Sequence, residues 1–280
     1  MERHRDPEAT EHLARLVRPF LLRRRKDDPA IAPELPPKTE TDLVVSLTAE
    51  QVTLYEAAVR EALARIADAE GITRRGLVLQ LLTALKQITN HPAQYLGQHG
   101  PLVGRSGKLD AFDELIGAIV DSGDAALVFT QYVAMARLLQ AHLASRDVPT
   151  LFLHGGVRAT RRSAMVDEFQ AGAAPVFLLS LKAGGVGLNL TRATHVVHYD
   201  RWWNPAVEDQ ATDRAHRIGQ DRPVQVHRLV SQGTVEDRIA ALLATKRELA
   251  DAVVGTGEAW IGEMTDDELA ALVTFDRRES

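Results

Sequence analysis

The sequence predicts an α/β domain with a mostly parallel sheet that is covered by helices on both faces, and a helical subregion before it. Two observations support this prediction. From about residue 108 of the 280-residue chain, short apolar strand patterns alternate with amphipathic helix patterns, which is typical of a covered parallel sheet. Residues 49–91 instead contain two successive helix patterns.

The chain begins with a lead-in segment, residues 1–48. It is polar at first, with "RPFLLRRRKDDPAIAPELPPKTE" combining a basic run and five prolines. The alternating, β-rich stretch "TETDLVVSLT" then predicts a strand. Thr48 and Gln51 have the spacing of a capping box, which places the start of the first helix there.

Residues 49–100 form the predicted helical insertion. Its second helix, "RRGLVLQLLTALKQIT", ends before Pro92, because the residue that precedes a proline disfavours the helical conformation. The α/β lobe follows at residues 101–245, and a C-terminal helical extension at 246–280. Ligands of such a sheet bind beyond the carboxyl ends of its strands. The informative loops are therefore "TQY", "HGG", "SLKAGGVGLNL", "DRWWNP" and "RIGQ".

Composition limits the classes of function. The chain has no cysteine, which excludes a disulfide scaffold, a thiolate metal site and a cysteine nucleophile, and fits a reducing cytoplasm. We find neither a signal peptide nor an apolar run of the roughly 20 residues that span a membrane. No two-histidine spacing suggests zinc, so we expect no metal site. The net charge is −5, so binding of nucleic acid must come from local basic patches.

A polar stripe lies within "DQATDRAHRIGQ". On a helix over "NPAVEDQATDRAHRI", Gln210, Arg214 and Arg217 follow the i, i+4, i+7 rule and share one face. Arginine suits phosphate because its guanidinium is planar, always charged and able to bind two oxygens. The alternative is a pair of surface salt bridges with the nearby Asp209 and Asp213.

The chain has no phosphate-binding loop to accompany these arginines. The segment "GRSGKLD" contains Gly-Lys, but Leu102 and Leu109 occupy positions where a P-loop needs glycine and a hydroxyl. We interpret it as a loop that leads into the helix "LDAFDELIGAIV". No strand pattern ends in an acidic pair that could hold magnesium. The combination suggests arginine fingers, which are guanidinium groups offered to a γ-phosphate that another lobe holds.

Taken together, these motifs resemble the second RecA-like lobe of the SWI/SNF-type helicase-like ATPases of helicase superfamily two, in their bacterial form. "SGKLD" and "ALVFTQY" are similar to the start of that lobe and its motif IV, "SLKAGGVGLNLT" to motif V, and "DQATDRAHRIGQ" to motif VI. "SLTAEQVTLYE" and "ALKQITNHPA" resemble the helical insertion of the family. The resemblance extends over about residues 15–245, and the joint run of motifs V and VI is highly specific.

The resemblance implies the second motor lobe of an ATP-dependent double-stranded DNA translocase or remodeler, cytoplasmic and associated with the nucleoid. Its partners would be double-stranded DNA and a first RecA-like lobe, which would hold most of the ATP and Mg²⁺, so this lobe should be inactive alone. A DNA-bound protein such as RNA polymerase is a further partner. Two alternatives stay open: a remodeling ATPase directed at RNA or RNA polymerase, and a non-catalytic interaction module of the same fold.

The resemblance also implies roles for individual residues. Arg214 and Arg217 match the motif VI arginines, with Gln210 in the supporting position. Nucleotide contacts would come from Gly185, Gly187 and Asn189. Sequence-independent contacts with the nucleic-acid backbone would come from Thr130, Gln131, His154, Gly155, Arg161, Ser180, Lys182 and Trp203.

Three of these assignments carry alternatives. Leu181 stands where some relatives have a hydroxyl, so that phosphate contact is either lost or moved to Ser180 or Lys182. Trp203 and its neighbour Trp202 could both be core residues. Arg161 could equally belong to the solvated start of a helix.

Overall fold

The computed structural model describes residues 35–180, 188–201, 205–241 and 264–277. All of its strands and helices belong to one compact unit, Pro36–Ser280. Six strands form a single sheet in the order β1-β6-β5-β2-β4-β3, and every adjacent pair is parallel. The strands are β1 (Lys38–Val45), β2 (Ala126–Thr130), β3 (Thr150–Leu153), β4 (Val176–Ser180), β5 (His195–His198) and β6 (Val224–Ser231). The predicted parallel sheet is confirmed, and β1, from the predicted lead-in segment, is one of its two edge strands.

The helices follow the predicted order, except that the short helix after Pro92 was not predicted and one predicted helix is shorter than expected. They are α1 (Ala49–Ala67), α2 (Gly71–Asn90), α3 (Pro92–Leu96), α4 (Gly107–Asp121), α5 (Val133–Ala144), α6 (Ala159–Gln170), α7 (Pro205–Thr212), α8 (from residue 235) and α9 (Asp266–Val273). Helix α8 is described as far as residue 241. The capping box of α1 is confirmed: Thr48 Oγ1 accepts from Gln51 N at 3.3 Å, and Gln51 Oε1 accepts from Thr48 N at 3.1 Å. None of the described helices is both long and apolar enough to cross a membrane.

Two apolar clusters cover the two faces of the sheet. On one face, Phe112 of α4 and Leu139 of α5 pack against Val128 of β2. On the other face, Phe169 of α6 packs with Phe129 of β2, together with Ala211 at the end of α7. Because Val128 and Phe129 are successive residues of one strand, their side chains point to opposite faces. The sheet is therefore sandwiched by helices, as predicted.

A third apolar cluster joins the helical insertion to the end of the chain. Residues of α1 and α2 pack with Leu269, Leu272 and Val273 of α9 and with the start of α8. Ion pairs tie both ends of residues 264–277 to the helical insertion. Arg74 binds Asp266 at 2.7 Å, and Arg277 binds Glu56 at 2.8 Å. The predicted C-terminal extension thus folds back on the helical insertion wherever it is described.

The predicted helix over residues 204–218 is too long. Helix α7 ends at Thr212, and residues 213–219 are turns and bends. Here Arg214 N donates to Ala211 O at 3.2 Å, one residue short of the α-helical partner, and the carbonyl oxygen of Arg214 accepts from Leu190 N at 3.0 Å. The prediction that Gln210, Arg214 and Arg217 share one helix face is therefore wrong.

Candidate nucleotide and nucleic-acid site

Asp200, which comes just after β5, organises the carboxyl edge of the sheet. It is fully buried. Its carboxylate accepts hydrogen bonds from the Thr130 hydroxyl, from Gln131 N at 2.9 Å and from Asn90 Nδ2 at 3.2 Å. Burial raises the pKa of Asp200, although the hydrogen bond from Thr130 and the charge of Lys86 act in the opposite direction. Asp200 thus connects the ends of β2 and β5 to the helical insertion.

These contacts change the interpretation of Thr130. Its side chain is fully buried and donates to Asp200, so the predicted contact with a nucleic acid has no accessible hydroxyl in this structure. Ser180, at the end of β4, is also buried. Gln131 is half-buried, and its Nε2 donates to the carbonyl oxygen of Arg201 at 2.6 Å.

Arg201 connects this edge to α7. Its guanidinium binds both carboxylate oxygens of Glu208, each at 3.2 Å, and Glu208 is only 1% exposed. Arg228 of β6 lies 3.5 Å from the same carboxylate and pairs with Glu40 of β1. Burial alone would raise the pKa of Glu40, but hydrogen bonds from Lys38 and Arg228 outweigh it and lower the pKa to about 2. Sequence reasoning missed this ion network, because charged residues at these spacings are usual on solvated faces.

Arg214 and Arg217 lie on the turns that follow α7, and they differ in exposure. Arg214 is 6% exposed, whereas Arg217 and Gln210 are exposed. Within the part of the chain that the structure describes, the Nε of Arg214 has no hydrogen-bond partner. Burial lowers the pKa of Arg214, and the charge of the nearby Arg217 lowers it further against the opposing charge of Asp213. The site thus keeps a buried guanidinium N–H unpaired beside a second, exposed guanidinium.

The turns that carry the arginines pack against the segment that follows the glycine-rich motif. Leu190 N donates to Arg214 O, and Gln220 Nε2 donates to the carbonyl oxygens of Thr191 and Ala193 at 2.9 and 3.0 Å. Asn189, predicted to bind the nucleotide, is exposed next to this junction. The structure therefore brings Asn189 and the motif VI arginines into neighbouring segments. Gln220 was not among the predicted residues; its only sequence signal is its place at the end of "DQATDRAHRIGQ".

The loop after β3 presents His154 and Gly155. His154 is half-buried, lies against the ring of Phe152 and accepts from Gly156 N at 3.2 Å. Gly155 is exposed, and its carbonyl oxygen accepts from Arg162 Nη2 at 3.2 Å. Arg161 is exposed and pairs with Glu168 on the surface of α6. Arg162 therefore holds this loop in place, while Arg161 remains on a solvated face.

Four further predicted residues, Lys182, Gly185, Gly187 and Trp203, lie outside the described residues, as does Trp202. Among the described residues, no group of three or more histidine and acidic side chains could hold a metal ion.

Lys108, in the Gly-Lys pair of "GRSGKLD", has a structural role. Its side chain is fully buried, and its Nζ binds Glu236 Oε1 at 2.7 Å and Asn90 Oδ1 at 3.2 Å. Ser106 caps the first turn of α4 by accepting from Leu109 N at 3.3 Å. A Cβ at Gly107 would overlap the carbonyl oxygen of Ser46, so this close approach requires glycine. The segment thus leads into a helix, as interpreted, although α4 begins at Gly107, two residues before the predicted "LDAFDELIGAIV".

A six-stranded parallel sheet sandwiched by helices, with Gln131, Asp200 and Arg201 in contact at its carboxyl edge, defines a RecA-like α/β lobe of the helicase type. Residues 107–219 match the family model of the helicase conserved C-terminal domain, and residues 2–94 match that of the SNF2-related domain. The SWI2/SNF2 ATPase C-terminal domain of Sulfolobus solfataricus has a similar structure, with a TM-score of 0.74 and 37% identity, covering 85% of this chain and 99% of that domain. The chain belongs to the SWI2/SNF2 family.

Longer members of the family are also similar. The "Putative ATP-dependent helicase/translocase YwqA" of Bacillus subtilis is 44% identical over 98% of this chain and 30% of its own length. The mouse protein "SWI/SNF-related matrix-associated actin-dependent regulator of chromatin subfamily A member 1" is 35% identical over 90% of this chain and 25% of its own length. The S. solfataricus SWI2/SNF2 ATPase core in complex with dsDNA has a TM-score of 0.77 and 39% identity, covering 97% of this chain and 57% of that one. The chain thus spans less than a third of the length of these two curated relatives.

Proposed function

We propose that this chain is the second motor lobe of an ATP-dependent double-stranded DNA translocase, and that Arg214 and Arg217 are its arginine fingers. The observation that carries the proposal is the buried guanidinium of Arg214, whose Nε has no partner among the described residues. Leaving a buried donor unpaired costs about 1–3 kcal/mol, so such a group is expected to have a partner in another state of the protein. An anionic ligand would supply that partner.

A phosphate is the anion that these residues fit best. Arg217 is exposed next to Arg214, and two guanidinium groups side by side repel each other unless an anion lies between or beside them. The exposed Asn189 is in the adjoining segment and would contact the same nucleotide. Lys108 is already paired with Glu236, so it is not free to bind ATP. ATP with Mg²⁺ would therefore be held mainly by a first lobe that carries the Walker motifs.

The nucleic-acid track would use accessible groups at the carboxyl edge. Gln131, His154, Gly155 and Arg161 are half-buried or exposed there. Thr130 would act indirectly, by holding Asp200 and thereby the start of the Gln131 loop. Amide, imidazole, backbone and guanidinium groups position phosphates without reading bases, so we expect binding that is independent of sequence. The dsDNA in the S. solfataricus complex supports duplex DNA as the polymer.

The test uses a two-lobe protein, in which this chain is joined to a first lobe that carries the Walker motifs. Arg217→Ala should lower kcat for DNA-stimulated ATP hydrolysis by about 10³–10⁵-fold, since an arginine finger meets charge that develops in the transition state. Duplex affinity and the melting temperature should stay close to those of the parent protein. Arg217→Lys should restore little, because an ammonium group cannot bind two phosphate oxygens in the way a guanidinium does.

Arg277→Ala serves as the matched control, because Arg277 is exposed and pairs with Glu56 on the surface. Its kcat should equal that of the parent. A normal kcat in a folded, DNA-binding Arg217→Ala protein would contradict the arginine-finger assignment. Stimulation by RNA rather than DNA would favour the RNA-directed alternative, and absence of turnover in the parent two-lobe protein would favour the non-catalytic module.

A further inference from the structure

The position of the two proposed arginine fingers is not set by a helix. Arg214 and Arg217 lie in the turns after Thr212, and neither makes the α-helical backbone bond: Arg214 N donates to Ala211 O and Arg217 N donates to Ala215 O. Residues that act on a transition state must nevertheless be held closely, because a displacement of about 1 Å can lower the rate by about 10²-fold. Some other group must therefore hold these turns against the rest of the lobe.

Gln220 makes the contacts that this task requires. Its side chain is 4% exposed, and its Nε2 lies within hydrogen-bond distance of three carbonyl oxygens: Thr191 O at 2.9 Å, Ala193 O at 3.0 Å and Ala215 O at 3.2 Å. Ala215 lies between the two arginines in the chain, whereas Thr191 and Ala193 belong to the segment after Asn189. A single amide thus joins the arginine-bearing turns to the neighbouring segment.

The backbone contacts of Gln220 strengthen this link. Gln220 N donates to Arg217 O at 2.8 Å, which closes the turn that carries Arg217. Its Oε1 accepts from Arg222 N at 3.0 Å, so the amide group is held at both ends. Leu190 N donates to Arg214 O a short distance away. The same junction therefore holds the carbonyl groups of both arginines.

We propose that Gln220 is a positioning residue that fixes Arg214 and Arg217 relative to the segment that begins at Asn189. The inference rests on the proposed arginine-finger function. The chemistry accounts for glutamine at this place: an amide N–H₂ can donate to carbonyl oxygens while its own oxygen accepts from Arg222 N. Methionine has a similar length but offers no donor, and asparagine keeps the amide but is one methylene shorter.

The experiment measures kcat, KM for ATP, duplex affinity and melting temperature in the two-lobe protein. Gln220→Met should lower kcat by about 10²-fold, as expected for a displaced catalytic group, with KM and duplex affinity little changed. Gln220→Asn is the milder second variant, in case Gln220→Met does not fold. It should also lose kcat, because its amide cannot reach the same carbonyl oxygens.

Gln51→Met is the matched control. Gln51 is also fully buried, and its Nε2 also donates to two carbonyl oxygens, Ile88 O at 2.8 Å and Thr89 O at 3.0 Å, but within the helical insertion. Its replacement should lower the melting temperature about as much as Gln220→Met and leave kcat unchanged. Loss of kcat in the Gln220 variants but not in Gln51→Met supports the positioning role.

Three results would count against the positioning role or against the arginine-finger function on which it rests. Normal kcat in both Gln220 variants, together with low kcat in Arg217→Ala, overturns the positioning role alone. Normal kcat in Arg217→Ala overturns the arginine-finger function on which the inference rests. Equal loss of kcat in Gln51→Met and Gln220→Met overturns the positioning role as well, since the effect would then follow stability rather than the place of the arginines.

Discussion

Lys108→Met should strongly destabilise the 280-residue chain. Lys108 and Glu236 form a salt bridge with a 2.7 Å separation, and their side chains are 0% and 1% exposed. Methionine keeps most of the apolar stem but leaves the Glu236 carboxylate buried without its cation. Removing one partner of a buried ion pair costs about 3–5 kcal/mol. Thr89 Oγ1 and Ser231 N still donate to Glu236, at 3.2 and 3.1 Å. We therefore expect the free energy of unfolding to fall by about 3 kcal/mol, the lower end of that range.

Thermal denaturation followed by circular dichroism at pH 7 measures this effect. In a domain of this size, a loss of about 1 kcal/mol in the free energy of unfolding lowers the melting temperature by about 2–4 °C. The melting temperature of Lys108→Met should therefore fall by roughly 6–12 °C. The control is Arg277→Met, which breaks an ion pair whose arginine is 71% exposed. Exposed pairs contribute at most about 1 kcal/mol, so this variant should melt within about 4 °C of the parent chain.

A second substitution tests the cause of the loss. Glu236→Gln removes the unpaired charge but keeps groups that can bond to Thr89 and Ser231. The double variant Lys108→Met, Glu236→Gln should therefore recover most of the stability that Lys108→Met alone loses. A melting temperature of Lys108→Met no lower than that of Arg277→Met would refute the reasoning, because the pair would then behave as a solvated one.

Three further predictions can be tested on the isolated chain. A clean preparation should hydrolyse no ATP above background, because the sequence has no P-loop; DNA-stimulated turnover in this assay would defeat the two-lobe proposal. Duplex DNA binding should be weak and should fall between low and moderate salt, since the net charge is −5 and only local patches are basic; tight binding that ignores salt would mean that the track is misplaced. Burial lowers the pKa of His198 to about 4, so the unfolded chain takes up a proton below pH 6.5 while the folded chain does not. The contribution of neutral His198 to the free energy of unfolding is therefore complete above pH 6.5 and is lost as the pH falls toward 4. The drop in melting temperature from pH 7 to pH 5 should be smaller in His198→Gln. An unchanged drop would argue against this titration.

The order and type of most elements could be predicted because their signals are local. Apolar runs such as "ALVFT" and "VFLLS" are strands β2 and β4, and the capping box at Thr48 begins α1 as predicted. The helix after Pro205 was predicted too long for a reason that is not local. Ala211, Ala215 and the arginines favour a helix, but the Arg214 carbonyl oxygen binds Leu190 N instead of a residue of the same helix. Tertiary hydrogen bonds thus override local propensity there.

The candidate site could be predicted only in part. Motifs V and VI indicated the family and nominated Arg214 and Arg217. They did not indicate that Arg214 is buried and Arg217 exposed, because a guanidinium in a polar stripe gives the same pattern in either case. Thr130 shows the same limit: the resemblance implied a contact with the nucleic-acid backbone, yet in the fold its hydroxyl donates to the buried Asp200.

The sequence by itself determined the parallel α/β architecture, the helical insertion and the membership of a helicase-like family, because these depend on apolar periodicity, caps and contiguous motifs. Only the tertiary structure decided which polar residues hold the lobe together. Lys108 and Glu236 are 128 positions apart, and Asn90 and Asp200 are 110 apart. A buried charge is stable only with its partner, and no short stretch of sequence records where that partner lies. Gln220 belongs to the same group, since its three acceptors come from two segments that meet only in the folded chain.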